Sequence, residues 1–154
     1  MSRRRRRDHG FTIIEVMIVV FIIGLMATFA IPRFFRAAAR AQRSEMWTVL
    51  EKERVYFINL YRTNGRFPVP AATVEWNPDN RPGPKIDWRP LAAGWEDFTF
   101  PPEGGVRMRY TYSTDGQILV MTAKGSFPGM DTVYQYVETY SGENLLGIAE
   151  SPEF

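Results

Sequence analysis

The strongest constraint on this chain is a continuous apolar run near its start. Phe11 to Ile31 reads FTIIEVMIVVFIIGLMATFAI and is interrupted only by Thr12, Glu15, Gly24 and Thr28. About 20 such residues span the hydrocarbon core of a bilayer as a helix, so the run predicts a membrane-spanning helix. Five arginines, Arg3 to Arg7, stand just before it. The positive-inside rule therefore places Met1 to Gly10 in the cytoplasm and the remainder outside. Arg33, Arg36, Arg40 and Arg43 on the far side weaken that asymmetry.

Three readings of such an N-terminus compete. A cleaved secretory signal would use a small-residue site near Ala30, with Thr28 two residues before it; the apolar core is too long for one and carries a glutamate. A twin-arginine signal matches the arginine pair before Asp8-His9-Gly10-Phe11 only loosely. A plain anchor explains everything except Glu15 and the Gly10-Phe11 junction.

The basic run also distorts the overall charge. The chain has 19 Lys+Arg against 17 Asp+Glu, a net charge of +2. Without Met1 to Gly10 the balance turns slightly negative, so bulk basicity is no argument for nucleic-acid binding. There is no cysteine, and the single histidine is His9. Downstream of Gly10 no Ser-His-Asp or Cys-His mechanism is possible, and zinc would have carboxylates alone. No catalytic residue, cofactor or metal site is expected, and the chain reads as a non-enzyme.

The helical pattern continues past the apolar run. Pro32 removes one hydrogen bond and crowds the preceding turn, yet no further proline or glycine occurs before Asn64-Gly65. One helix of roughly 50 residues, about 75 Å at the standard rise, is predicted. Its outer half is apolar at Met46, Trp47, Val49, Leu50, Tyr56, Phe57, Ile58, Leu60 and Tyr61, a broad stripe at helical spacing. Residues 64–105 hold most of the prolines and three of the four tryptophans, Trp76, Trp88 and Trp95. Such tryptophan content predicts an ordered, irregular connection rather than a disordered linker. Val106–Tyr112 alternates as a half-buried strand, Asp115-Gly116 supplies a hairpin turn, and Gln117–Lys124 and Thr132–Tyr140 give two more strands. Asn144 to Phe154 reads as a short strand or a packed tail. The expected fold class is α+β: a long N-terminal helix, membrane-spanning in its first half, packed on an antiparallel sheet of three to four strands. The expected divisions are 1–10, 11–31, 32–63, 64–105 and 106–154.

Gly10-Phe11-Thr12-Ile13-Ile14-Glu15, followed by the apolar helix, resembles the class III signal of type IV pilins and secretion-system pseudopilins. The close resemblance covers about residues 7 to 35, and the helix-loop-sheet order extends it more weakly. It implies cleavage by a prepilin peptidase between Gly10 and Phe11, then N-methylation of Phe11. It also implies assembly through the N-terminal helix, with Glu15 paired to the new Phe11 amine of a neighbour. Glu15 is costly inside a bilayer and calls for such a partner, although it could instead snorkel or offset its own helix dipole. Gly24 and Pro32 would bracket a stretch whose helical bonds can open. The implied partners are other pilin subunits, the peptidase, an inner-membrane assembly platform and, before assembly, the lipid bilayer. The implied product is a pilus subunit, minor or cysteine-free; a type II secretion pseudopilin or a DNA- or surface-binding module are the alternatives. Many major pilins close a C-terminal loop with a disulfide, typically worth about 2–4 kcal/mol. Here Tyr134, Tyr136, Tyr140 and the loop tryptophans would have to compensate.

Other clusters carry less. The four arginines from Arg33 to Arg43 read as a solvated stripe. The aromatic loop from Trp76 to Trp95 reads as core packing ahead of a single-strand DNA platform. Glu51/Glu53 and Glu96-Asp97 read as solvated carboxylates. Asp131, Glu138 and Glu143 are conceivable calcium ligands without a calcium-loop motif.

Overall fold

A computed structural model describes residues 11–78, 85–127 and 133–151. One helix, α1 (Ile13–Asn64), is followed by β1 (Ile86–Asp87), β2 (Gly105–Val106), β3 (Arg109–Thr114), β4 (Ile118–Gly125), β5 (Tyr134–Ser141) and β6 (Asn144–Ser151). The chain divides into two compact units between Ala37 and Ala38. The expected α+β architecture is present: a long N-terminal helix, then a two-stranded antiparallel ribbon, β1-β2, and a four-stranded antiparallel meander, β3-β4-β5-β6.

In the N-terminal unit the helix carries no buried side chain. Phe11, Ile13, Met17, Phe21, Ile23, Met26 and Phe29 are each at least 60% exposed, and they face every side of the helix. Pro32 lies within α1.

The C-terminal unit is built by the other half of the helix. Ala39, Gln42, Met46, Val49, Leu50, Glu53 and Phe57 are buried, at the 3-4 spacing that places them on one helical stripe. They pack against the face of the sheet formed by Tyr110, Tyr112, Leu119, Met121, Ala123, Tyr136, Glu138 and Tyr140, all buried. Trp47 meets Tyr136 edge-on at 4.7 Å between ring centres, and Phe57 meets Tyr112 at 4.5 Å. Burial of one or two such aromatic rings is worth several kcal/mol before entropy is charged. The helix stops at Gly65, whose φ of 70° suits glycine and whose N–H donates to the Tyr61 carbonyl at 2.7 Å.

The described residues of the connection between Gly65 and Met108 are held by buried anchors. Asn77, fully buried, exchanges both backbone hydrogen bonds with Tyr110 at 2.8 and 2.9 Å. Its side chain also donates to the Arg89 carbonyl and accepts from the Arg89 N–H. Trp88, Trp95 and Phe98 fill the space this creates, with ring centres 5.0–5.7 Å apart. Glu45 on the helix clamps the ribbon, accepting the Arg107 N–H at 2.6 Å and facing Lys85 and the Arg107 guanidinium.

Two expectations need correction. The strand expected from Val106 is split: β2 ends at Val106 and β3 starts at Arg109. Arg107 spends its N–H on the Glu45 carboxylate instead of on a strand ladder. The segment from Asn144, left open between a short strand and a tail, is the full eight-residue β6, paired to β5 with an irregularity at Thr139/Tyr140.

Candidate functional site

At the start of α1, Thr12 and Glu15 form a closed hydrogen-bonded unit. The Thr12 N–H and hydroxyl both donate to Glu15 Oε2 at 2.8 Å, and the Glu15 N–H donates back to Thr12 Oγ1 at 3.3 Å. This is the reciprocal capping box, Thr-x-x-Glu, which satisfies two of the orphan amides at the helix start. Its signal, Thr12-Ile13-Ile14-Glu15, is present in the sequence, and it gives Glu15 a local role beside the expected pairing with a neighbour's Phe11 amine. Glu15 is thus held one turn from Phe11, whose ring is 84% exposed. Gly10 lies outside the described residues.

Further along, a Cβ added at Gly24 would meet nothing within 4 Å. The Thr28 hydroxyl donates to the Gly24 carbonyl at 3.0 Å, a back-bond that loads one acceptor of the helical ladder. Gly24 and Pro32 therefore sit on an exposed apolar helix, each at a point where the regular ladder is altered or shared. The most apolar part of α1 has a mean hydropathy of 2.6, is unburied, and is long and apolar enough to cross a membrane.

Among the described residues no group of three or more His, Cys, Asp or Glu could hold a metal ion. Of the conceivable calcium ligands, Glu138 is buried and accepts hydrogen bonds from the Tyr136 and Tyr140 hydroxyls at 3.0 and 2.8 Å. Glu143 is paired to Arg62 at 2.6 Å, which lowers its pKa. Asp131 lies outside the described residues. Glu138 and Glu143 are thus each committed to partners within the head.

The arginine stripe splits in use. Arg33, Arg36 and Arg40 are exposed, whereas Arg43 turns into the head and meets Glu150 at 2.7 Å. Of the loop aromatics, Trp88 and Trp95 belong to the core. Trp76 is half-buried, with Lys124 Nζ at 5.0 Å and Arg109 Cζ at 5.3 Å from its ring centre. Arg109 and Lys124 are direct cross-strand partners, so the indole face offsets the repulsion of two like charges. One expectation fails outright: Glu53 is not solvated but fully buried. Glu51, two residues earlier, is exposed and pairs with Arg54.

A long N-terminal helix with an exposed apolar first half, followed by an antiparallel head, defines a pilin-like α+β protein. Its N-terminal segment, residues 5–31, matches the family described as the prokaryotic N-terminal methylation motif, and over this stretch the chain is similar to the type IV pilins below. It is 51% identical over 51 residues to the type IV major pilin protein PilA of Myxococcus xanthus, a stretch covering 33% of this chain and 23% of that protein. It is 39% identical over 59 residues to the type IV major pilin protein PilE1 of Neisseria gonorrhoeae, covering 38% of this chain and 36% of that one. A fimbrial protein of Moraxella nonliquefaciens is 46% identical over 57 residues, covering 37% and 36% respectively. The matches thus span about a quarter to a third of these relatives' lengths. No solved structure matches the chain.

Proposed function

We propose that this chain is a structural subunit of a type IV pilus, assembled through its N-terminal helix. It is made as a prepilin with Arg3 to Arg7 on the cytoplasmic side of the inner membrane. A prepilin peptidase cuts between Gly10 and Phe11, and the new Phe11 amine is methylated. An assembly platform then draws the helix from the bilayer into a filament of pilin subunits. The observation that carries this reading is the pairing of a completely unburied apolar helix with one acid in its first turn, next to the Phe11 junction.

In the unassembled chain the Glu15 charge is occupied by Thr12. In the filament the positive Phe11 amine of an adjacent subunit offers a partner of opposite charge in low dielectric, where attraction is strong and falls off with distance. That pairing fixes the axial register between neighbouring helices. Gly24 and Pro32 loosen the helix between them when subunits crowd together. The names of the relatives, which describe major pilins and fimbrial proteins, favour a pilus subunit over a secretion pseudopilin. Glu15→Ala tests the register role: cleavage after Gly10 is expected to persist while incorporation into sheared filaments is lost. Normal incorporation of the variant would remove Glu15 from the assembly mechanism.

A further inference from the structure

Glu53 is the least expected residue of the head. It is 0% exposed and lies on the buried stripe of α1, between Leu50 and Phe57. Among the described residues neither of its carboxylate oxygens has a hydrogen-bond partner. The charged group facing it is another carboxylate, Glu138 of β5, itself only 4% exposed. An ionised carboxylate in this position would be desolvated, unpaired and opposed by a like charge, the costliest combination available to an acidic side chain.

The two acids have different surroundings, and these decide which one holds a proton. Glu138 accepts two hydroxyl donors, from Tyr136 and Tyr140, and both favour its ionised form. Among the described residues Glu53 has no donor. Glu53 is therefore the acid that holds a proton, since a buried carboxylate facing another acid cannot easily carry a second charge. Burial, with the Glu138 charge second, pushes the Glu53 carboxyl well above the ordinary carboxylate range.

The groups around the pair do not rescue an ionised Glu53. From β3, Tyr110 and Tyr112 present hydroxyls whose pKa values burial drives upward, Tyr110 well above its ordinary value. From β5, Tyr136 is driven upward likewise and Tyr140 reaches about 12, both by burial. From α1 itself, Arg54 bonds to Glu51 and to Tyr140. β4 contributes Leu119, Met121 and Ala123 to this face, none of them titratable.

We propose that Glu53 and Glu138 form a proton-dependent clasp between α1 and β5, which seats the helix on the sheet while Glu53 is neutral and loosens it when Glu53 ionises. The proton leaves to solvent, and the two charges then repel across the seam that joins helix to sheet. The direction follows from linkage. The folded-state pKa of Glu53 lies above its unfolded value, so the contribution of the clasp is complete below the ordinary carboxylate range. It is lost as pH rises toward the folded value, because the folded head then binds one proton more than the unfolded chain. In a filament, alkaline conditions would weaken each head at the joint with its own helix, with no intersubunit contact needing to change.

The test is the pH dependence of unfolding of the full chain in a nonionic detergent, between about pH 5 and about pH 9, read by near-ultraviolet circular dichroism in urea. No histidine occurs downstream of His9, so no imidazole in the head obscures that window. The folding constant of the wild type should fall with rising pH, by up to about tenfold per pH unit for one proton. E53Q, which keeps shape and removes the titration, should flatten the profile, and E138Q should shrink the fall by removing the opposing charge. Infrared spectroscopy of the wild type near neutral pH should show a protonated-carboxyl stretch that E53Q abolishes, a readout that needs no unfolding. A wild-type profile that is flat or rises with pH, an unchanged slope in E53Q, or no protonated carboxyl near neutral pH would each overturn the clasp.

Discussion

Removing the Trp95 side chain should unfold a large part of the head's stability, because the proline-rich connection supplies core rather than linking it. Trp95 is 1% exposed, and its ring lies 5.0 Å from Trp88, 5.6 Å from Phe98 and 5.2 Å from Tyr112. Its indole N–H donates to the Glu75 carbonyl at 2.8 Å. Truncation to alanine removes the transfer energy and leaves a cavity, together about 3–5 kcal/mol. The orphaned carbonyl adds about 1–3 kcal/mol. A loss of this size is comparable to the whole stability of a small domain, about 5–15 kcal/mol. Trp95→Phe, which keeps an aromatic ring but no donor, should cost markedly less. The assay is urea unfolding of the full chain in detergent, with the midpoint compared at constant slope. If the connection were a surface linker, Trp95→Ala would change stability by no more than about 0.5 kcal/mol. A wild-type midpoint for Trp95→Ala would refute the reasoning.

Two further substitutions probe the same packing. Gly125 ends β4 directly against Met108, and a Cβ there would overlap the Met108 sulfur. Gly125→Ala should therefore destabilise by about 1–3 kcal/mol, the usual cost of overpacking, and Met108→Ala in the same chain should recover part of it; a neutral Gly125→Ala in the same urea assay would show that Met108 has room to move. Asn77→Ala leaves the Arg89 N–H without its side-chain acceptor, at about 1–3 kcal/mol, while the Arg89 carbonyl keeps the Ala92 N–H. Hydrogen exchange should quicken at Arg89 while the Asn77 backbone bridge to Tyr110 stays protected; unchanged exchange at Arg89 would contradict the anchoring role.

Much of this architecture could be read before any coordinates, and the remainder shows where pattern fails. The helix was legible because an apolar run and an amphipathic stripe join with no breaker but Pro32. Strands β4 and β5 were legible because their burial alternates residue by residue, which is the period that sequence reading detects. β6 has no such signal: seven of its eight residues are exposed, so no face had to be apolar, and Gly147 stands in its interior. The available clue was Ser141-Gly142, a turn pair whose glycine adopts a φ of 58°. β1 and β2, two residues each, are too short for any periodicity.

The acidic residues teach a sharper lesson. Glu51 and Glu53 look like one charged cluster in a string of letters, yet residues two apart on a helix point to different sides. Glu53 stands three residues after Leu50 and four before Phe57, so helical spacing already placed it on the buried stripe. Its neighbour Glu138, on a strand, alternates inward with Tyr136 and Tyr140 for the equivalent reason. The sequence reading makes Glu53 a solvated carboxylate and Glu138 a conceivable calcium ligand; geometry puts both in the core. The Thr12–Glu15 box, by contrast, needed only the local rule for helix starts.

The account rests most directly on the state of the Phe11 terminus. Mass spectrometry of the N-terminal peptide, comparing sheared surface filaments with the membrane fraction, reads that state in one experiment. The pilus-subunit reading predicts N-methylated Phe11 in the sheared material, with no peptide retaining Met1 to Gly10. An intact leader found only in membranes, in cells that contain the processing peptidase, would contradict it and leave an ordinary anchored protein.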